Sequence, residues 1–182
     1  VAAAKAVHAA QDLVVADTGR HRRHRVVLVV NREVDVALLA VDVHPPLYYW
    51  LLKGWTSIFG VSELGVRSLS LVFAILAIIG VFVLMRKLFS SVSLALLASF
   101  AIAISPMVVR FSHEARMYTL VLMIVVWASY VLVRAIETNR KAWWVGYGAL
   151  LAAGMLTHYF AAFAWLSHWA WRLHEKRSGR IK

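Results

Sequence analysis

Three short polar segments interrupt the apolar part of the chain. They are Asp42-Val43-His44-Pro45-Pro46-Leu47-Tyr48-Tyr49, Arg110-Phe111-Ser112-His113-Glu114-Ala115-Arg116-Met117-Tyr118 and Thr157-His158-Tyr159-Phe160. Between Val43 and Lys182 the only acids are Glu63, Glu114, Glu137 and Glu175. Glu114 is the one that stands among other reactive groups, which suits a general base or a metal ligand. A helix cap with a boundary ion pair accounts for it equally well. Ser112 has the type of an N-cap, and Glu114 in the following turn would favour the helix dipole. On that helix Glu114 and Tyr118 (i, i+4) share a side, as do His113 and Arg116 (i, i+3). Pro45-Pro46 fixes an extended turn and so holds His44 in place, though paired prolines also simply start helices. His158 is either a structural histidine in an apolar setting or a ligand. Other histidines on the same expected face favour the second. His168 and His174 read as structural.

The elements that must position these groups follow from the uncharged runs. The 182 residues are 62% apolar and 16% charged, with a mean hydropathy of +0.70. That composition excludes an ordinary soluble domain. The net charge of +11 raises nucleic acid as a partner, but the basic residues sit between long uncharged runs, which argues against it. The absence of cysteine excludes disulfides, thiol catalysis and Cys-ligated zinc. Uncharged runs cover residues 68–85, 88–109, 117–133 and 142–171. A bilayer core of about 30 Å takes about 20 residues of helix. The first three runs each suit one span. The fourth has 30 residues with His158 near its middle, and it fits two short helices better than one. The expected fold is an all-α, polytopic transmembrane helix bundle with about five crossings, the last two short.

Charge placement orients the bundle. With the His44 segment external, ten Lys/Arg fall inside: Arg86, Lys87, Arg134, Arg140, Lys141, Arg172, Lys176, Arg177, Arg180 and Lys182. Lys53, Arg67, Arg110 and Arg116 fall outside, so the count obeys the positive-inside rule. Trp143, Trp144, Trp169 and Trp171 then lie at the inner boundary, where tryptophan is enriched. The three polar segments all land on the external face.

Residues 47–59 are too few to span. Leu47, Trp50, Leu51, Trp55 and Ile58 form one helical stripe, with Lys53 and Thr56 off it. This predicts an amphipathic helix lying at the external interface and ending at Gly60. Residues 1–40 differ in kind: a dense basic run at 20–25 follows short Val/Ala stretches, with no signal peptide. They read as a basic soluble arm or as a non-native reading frame joined to a coding segment that starts near 41.

The residues also carry a resemblance. His44-Pro45-Pro46-Leu47-Tyr48-Tyr49, then an amphipathic helix, then Ser62-Glu63-Leu64-Gly65-Val66-Arg67-Ser68, resembles the polyprenyl-phosphate-sugar-dependent membrane glycosyltransferases of the GT-C superfamily. Within them it looks like the protein mannosyltransferase and lipid A aminoarabinose transferase group, and there the bacterial dolichyl-phosphate-mannose mannosyltransferase-like branch. Ser105-Pro106 with residues 112–118 is similar to that branch's second signature, and Thr157-His158-Tyr159-Phe160 to its third. Order and spacing agree over about residues 41–175.

The resemblance implies an integral membrane enzyme, in a bacterial plasma membrane with its active face external. It implies a polyprenyl-phosphate sugar as donor, a protein, lipid or glycan as acceptor, membrane lipids as partners and no nucleic acid. It places His44, Arg116, His158, Tyr118 and Tyr159 at the donor phosphate. It allows a divalent metal ion held by Glu114 and His158. It also suits the interfacial helix to guiding a prenyl chain. Family members carry an acidic pair in the first external loop, and no such pair occurs here. The catalytic base is left between Asp17, Asp42 and Glu114. Family members are several-fold longer, so the chain is expected to be an early portion of such an enzyme, inactive alone. A small helical transporter or a noncatalytic membrane scaffold are the competing readings. A transporter would place polar groups near the bilayer midplane.

Overall fold

A computed structural model of the chain describes residues 45–177. The segment 1–40 and its boundary, and with them Asp17, Asp42 and His44, lie outside the described residues. Among those described there are seven helices and no strand. They are α1 (Leu47–Phe59), α2 (Glu63–Phe89), α3 (Val92–Ala103), α4 (Pro106–Ser112), α5 (Tyr118–Thr138), α6 (Lys141–Met155) and α7 (Ala161–Arg177).

Two of these are long and apolar enough to cross a membrane, α2 with 27 residues and α5 with 21. The run at 88–109 departs from the single span expected. It forms α3 and α4, bent by 59° at the break between them, and only together do they match a span. Pro106 is the cause. It cannot donate to the helix before it, and it restarts the chain as the first residue of α4. The run at 142–171 divides as expected, into α6 and α7 with a turn at 156–160. At 15 and 17 residues these helices extend about 22 and 25 Å, short of a full bilayer core.

Contacts fix the directions. Ser70 meets the backbone of Arg116, Leu76 meets Trp127, and Lys87 meets Glu137. Numbers rise together, so α2 and α5 run parallel, with α3 and α4 returning between them. Gly154 meets Ala161 and Tyr147 meets His168, so α6 and α7 are antiparallel. The face of α2 that packs is Ser70, Phe73, Ala74, Ala77, Gly80, Val81 and Leu84. Hydropathy does not mark it, because the opposite face is as apolar. Size does: small residues let membrane helices approach closely. At Gly80 an added Cβ would lie 2.9 Å from Val126 and 3.0 Å from the Trp127 indole. That indole N–H donates to the Leu76 carbonyl at 3.1 Å.

His168 ties α7 to the bundle. One ring nitrogen sits 2.9 Å from the Ser129 hydroxyl of α5, the other 3.1 Å from the Tyr147 hydroxyl of α6. Both nitrogens are thus occupied, in keeping with the structural role expected of it.

Candidate donor-phosphate site

The site is assembled at one end of the bundle by three connections. The first is α1. Its bounds are those expected, and Gly60 closes it at φ 80° with its N–H on the Thr56 carbonyl. The face that packs is Tyr48 and Leu52, flanked by Tyr49 and Trp55. Of the expected stripe, Trp50, Leu51 and Ile58 point away from the bundle and are exposed. The helix therefore has two apolar faces, one against protein and one open, with Lys53 on a third side. Its start is fastened by the Leu47 N–H, which donates to the Leu156 carbonyl at 3.0 Å. The first polar segment is joined there to the residue just before the third.

A buried hydroxyl pair joins them to the second. Tyr48 and Ser70 are fully buried, and their hydroxyls lie 2.9 Å apart. Ser70 also donates to the Arg116 carbonyl at 3.4 Å. Burial raises the Tyr48 phenol above its usual value of 10, and the Ser70 hydrogen bond opposes only part of that. The neutral hydroxyl is the form this hub holds.

The second segment does not fold as its spacing suggested. Ser112 is not an N-cap. It ends α4, and its hydroxyl turns back to the Val109 carbonyl at 2.8 Å. The His113 ring follows it onto the same carbonyl at 2.7 Å. The next helix starts only at Tyr118, with Met117 as its N-cap. Residues 113–116 form bends instead, and the Arg116 N–H closes them onto the Glu114 carbonyl at 2.8 Å. Glu114 is thus outside any first helical turn, and the expected Glu114–Tyr118 and His113–Arg116 pairings are lost. The reason is Pro106: by starting α4 it commits residues 106–112 to a helix that ends where the next was expected to begin.

The consequence is a different charge arrangement. One Glu114 oxygen takes the Arg110 Nε at 3.1 Å, and the other faces the Arg116 Nε at 3.8 Å. Arg110 and Arg116 are both largely exposed, at 73% and 60% of their side chains. Ion pairs so open contribute little stability. What they do is spread two guanidiniums about one carboxylate at the edge of the bundle. Beside them the Tyr118 ring lies tilted against Phe111 at 4.3 Å and 6.0 Å from the His158 ring. His158 Nδ1 accepts the Phe160 N–H at 3.2 Å, which puts the proton of the neutral ring on Nε2. Tyr159 is exposed next to it.

Arg116, Tyr118, His158 and Tyr159 therefore gather at one end of the bundle, with Glu114 between two arginines. Glu114 and His158 are the two residues here that could hold a divalent metal ion. Among the described residues no three His, Asp or Glu side chains come together, and guanidiniums already meet both Glu114 oxygens. Three participants go beyond the residues that charge and histidine single out for the phosphate. Arg110 was legible from its i, i+4 spacing to Glu114. Tyr48 lay within a polar segment without a task. Ser70 gives no signal, being a small hydroxyl inside an apolar run.

An arrangement of two exposed arginines, a histidine donor and tyrosines suits an anion such as a phosphate at headgroup level. No curated protein and no solved structure matches the chain. The dolichyl-phosphate-mannose-protein mannosyltransferase family matches residues 43–181, well over half of the 182, and takes in His44 and all of the second and third polar segments. On that match the chain belongs to the dolichyl-phosphate-mannose-protein mannosyltransferase family.

Proposed function

We propose that this end of the bundle is the donor-phosphate corner of a membrane glycosyltransferase that uses a polyprenyl-phosphate sugar. The acceptor is a hydroxyl on a protein, lipid or glycan, and the working face is the external side of a bacterial plasma membrane. The observation that carries the reading is that three separate polar segments come together at one end of the bundle, through Leu47 on the Leu156 carbonyl, Tyr48 and Ser70 on the Arg116 carbonyl, and Tyr118 beside His158. The excess of Lys/Arg at the opposite end supports the orientation.

In the reaction, the acceptor oxygen attacks the anomeric carbon and the bond from that carbon to the phosphate oxygen breaks. The bonding pair leaves with the polyprenyl phosphate. Arg116 and Arg110 stabilise the negative charge that grows there, and the His158 Nε2–H is a further donor. Glu114 holds the two arginines apart in readiness and is displaced in part as the phosphate arrives. The acceptor proton goes to Asp42, to Asp17 or to the Glu114 carboxylate that the phosphate displaces. A prenyl chain reaching this corner would run along the exposed face of α1, with Trp50, Leu51 and Ile58.

Arg116→Lys tests the reading, in the full-length gene assayed for transfer from a polyprenyl-phosphate sugar. Lysine keeps the charge but loses the planar fork. The expected result is a loss of about 10- to 100-fold at limiting donor, from charge-assisted hydrogen bonds worth about 1.5–3 kcal/mol, with membrane insertion unchanged. Full activity at limiting donor would overturn it.

A further inference from the structure

The reaction leaves the opposite end of the bundle unexplained. There α6 opens with Trp143 and Trp144, and each indole carries an arginine from a different helix. Arg134 of α5 lies 5.4 Å over Trp143, and Arg172 of α7 lies 4.6 Å over Trp144. Tyr130 meets Trp143 edge-on at 6.5 Å. Glu137 receives two cations at once, Lys87 from α2 at 2.9 Å and Arg134 at 3.5 Å. The Arg134 Nε is buried and has no hydrogen-bond partner.

The charge at this end is far from balanced. Arg86, Lys87, Arg134, Arg140, Lys141, Arg172, Lys176 and Arg177 face only Glu137 and Glu175 among the described residues. A guanidinium over an indole is held through its face; with the Arg134 Nε buried and one terminal nitrogen on Glu137, the other terminal nitrogen is the edge that Arg134 offers an anion. Around this basic floor stand exposed apolar side chains: Leu88, Phe89, Val145, Trp169 and Trp171.

We propose that this end is a docking surface for anionic phospholipid headgroups, with Arg134 and Arg172 as the principal phosphate ligands. Two observations choose the occupant. The surplus positive charge calls for an anion, and the apolar rim calls for acyl chains attached to it. A soluble phosphate meets the charge but has no acyl chain to lie along the rim. Each Lys or Arg near an anionic leaflet adds to the attraction, and salt screens it. Lipid bridging Arg134 and Arg172 would clamp α7 onto α5 and α6, in addition to the His168 tie. The proposal rests on the chain spanning a membrane and is independent of the sugar-transfer reading.

The test is thermal unfolding of the full chain in nanodiscs of phosphatidylcholine with increasing phosphatidylglycerol. The expected result is a midpoint that rises by about 2–4 °C or more as phosphatidylglycerol is added. The rise should shrink in 0.5 M NaCl, a concentration chosen to shorten the Debye length to roughly 4 Å. It should be lost in Arg134→Gln/Arg172→Gln, and inorganic phosphate added to phosphatidylcholine discs should not reproduce it. An equal midpoint in both lipids, a rise indifferent to salt, a rise kept in the double variant or a rise matched by inorganic phosphate would each overturn the proposal. The salt series on the unaltered chain decides the matter should the double variant fail to fold.

Discussion

At one end of the bundle Arg110 and Arg116 clasp a carboxylate on a bend between helices. At the other, Arg134 and Arg172 lie on Trp143 and Trp144 within helices. The same side chain is used in two ways. Where guanidiniums face a displaceable carboxylate on irregular backbone, an incoming anion can take its place. Where they lie over indoles at helix ends, they stay fixed between helices, and an anion that meets them there bridges those helices. The irregular end also has a buried support, Tyr48 and Ser70, reaching the backbone of Arg116 itself. Exposed charges can be held accurately when the backbone carrying them is anchored in the core.

Matched substitutions at the two ends give the largest expected contrast. Arg110→Ala should lower transfer from a limiting polyprenyl-phosphate donor by about 10- to 100-fold, as one charge-assisted contact to the phosphate is lost. Arg140→Ala, an exposed arginine at the other end, should stay within about twofold of the unaltered enzyme, since surface charges away from a site contribute little. Equal losses would break the distinction between the ends.

The middle of the bundle serves both ends, and a fault there should not discriminate between them. Gly80→Val places side-chain atoms where Val126 and Trp127 already sit. Overpacking of this kind costs about 1–3 kcal/mol. The expected result is a lower unfolding midpoint in detergent, with donor KM unchanged in the fraction that stays folded.

The smallest effect concerns the buried support. Tyr48→Phe removes one hydrogen bond and leaves Ser70 its contact with Arg116, a loss of about 1 kcal/mol. It should also change the alkaline limb of stability. The folded-state phenol is raised above 10, so the unfolded chain ionises first. Stability from this group is complete below about pH 10 and is lost as pH rises from there through the folded value. Unfolding midpoints measured from pH 8 to 11 should fall less steeply in Tyr48→Phe than in the unaltered chain. Parallel curves would remove Tyr48 from the hub.

What the sequence made legible follows the physics that each part obeys. Charge marks the ends of helices in a membrane, so α2, α5 and the split at His158 are readable from uncharged runs. Interfacial α1 is readable from its period and from Gly60. The packing face of α2 is not, because apolar residues face both lipid and protein and only the sizes of Ala74, Ala77 and Gly80 tell them apart. The second polar segment misleads for a local reason. Ser112 and Glu114 have the types of a helix start, but Pro106 has already started a helix that uses Ser112 as its last residue. The residues that meet at the site were mostly named by type. Their wiring was not, since Arg110, Glu114 and Arg116 meet on bends that no periodic rule describes.

The central claim is that the second polar segment and the basic end lie on opposite sides of a membrane, and that only the first meets the donor. The chain has no cysteine, so single cysteines report cleanly. His113→Cys and Lys176→Cys place one thiol at each end on exposed positions. The measurement is the rate of labelling by a membrane-impermeant thiol reagent in intact cells and in inverted vesicles, with and without a polyprenyl-phosphate sugar. The account predicts that position 113 labels from outside and is slowed by the donor, and that position 176 labels only from the cytoplasmic side and is indifferent to it. Labelling of both positions from one side, or a donor effect at 176 and none at 113, would contradict it.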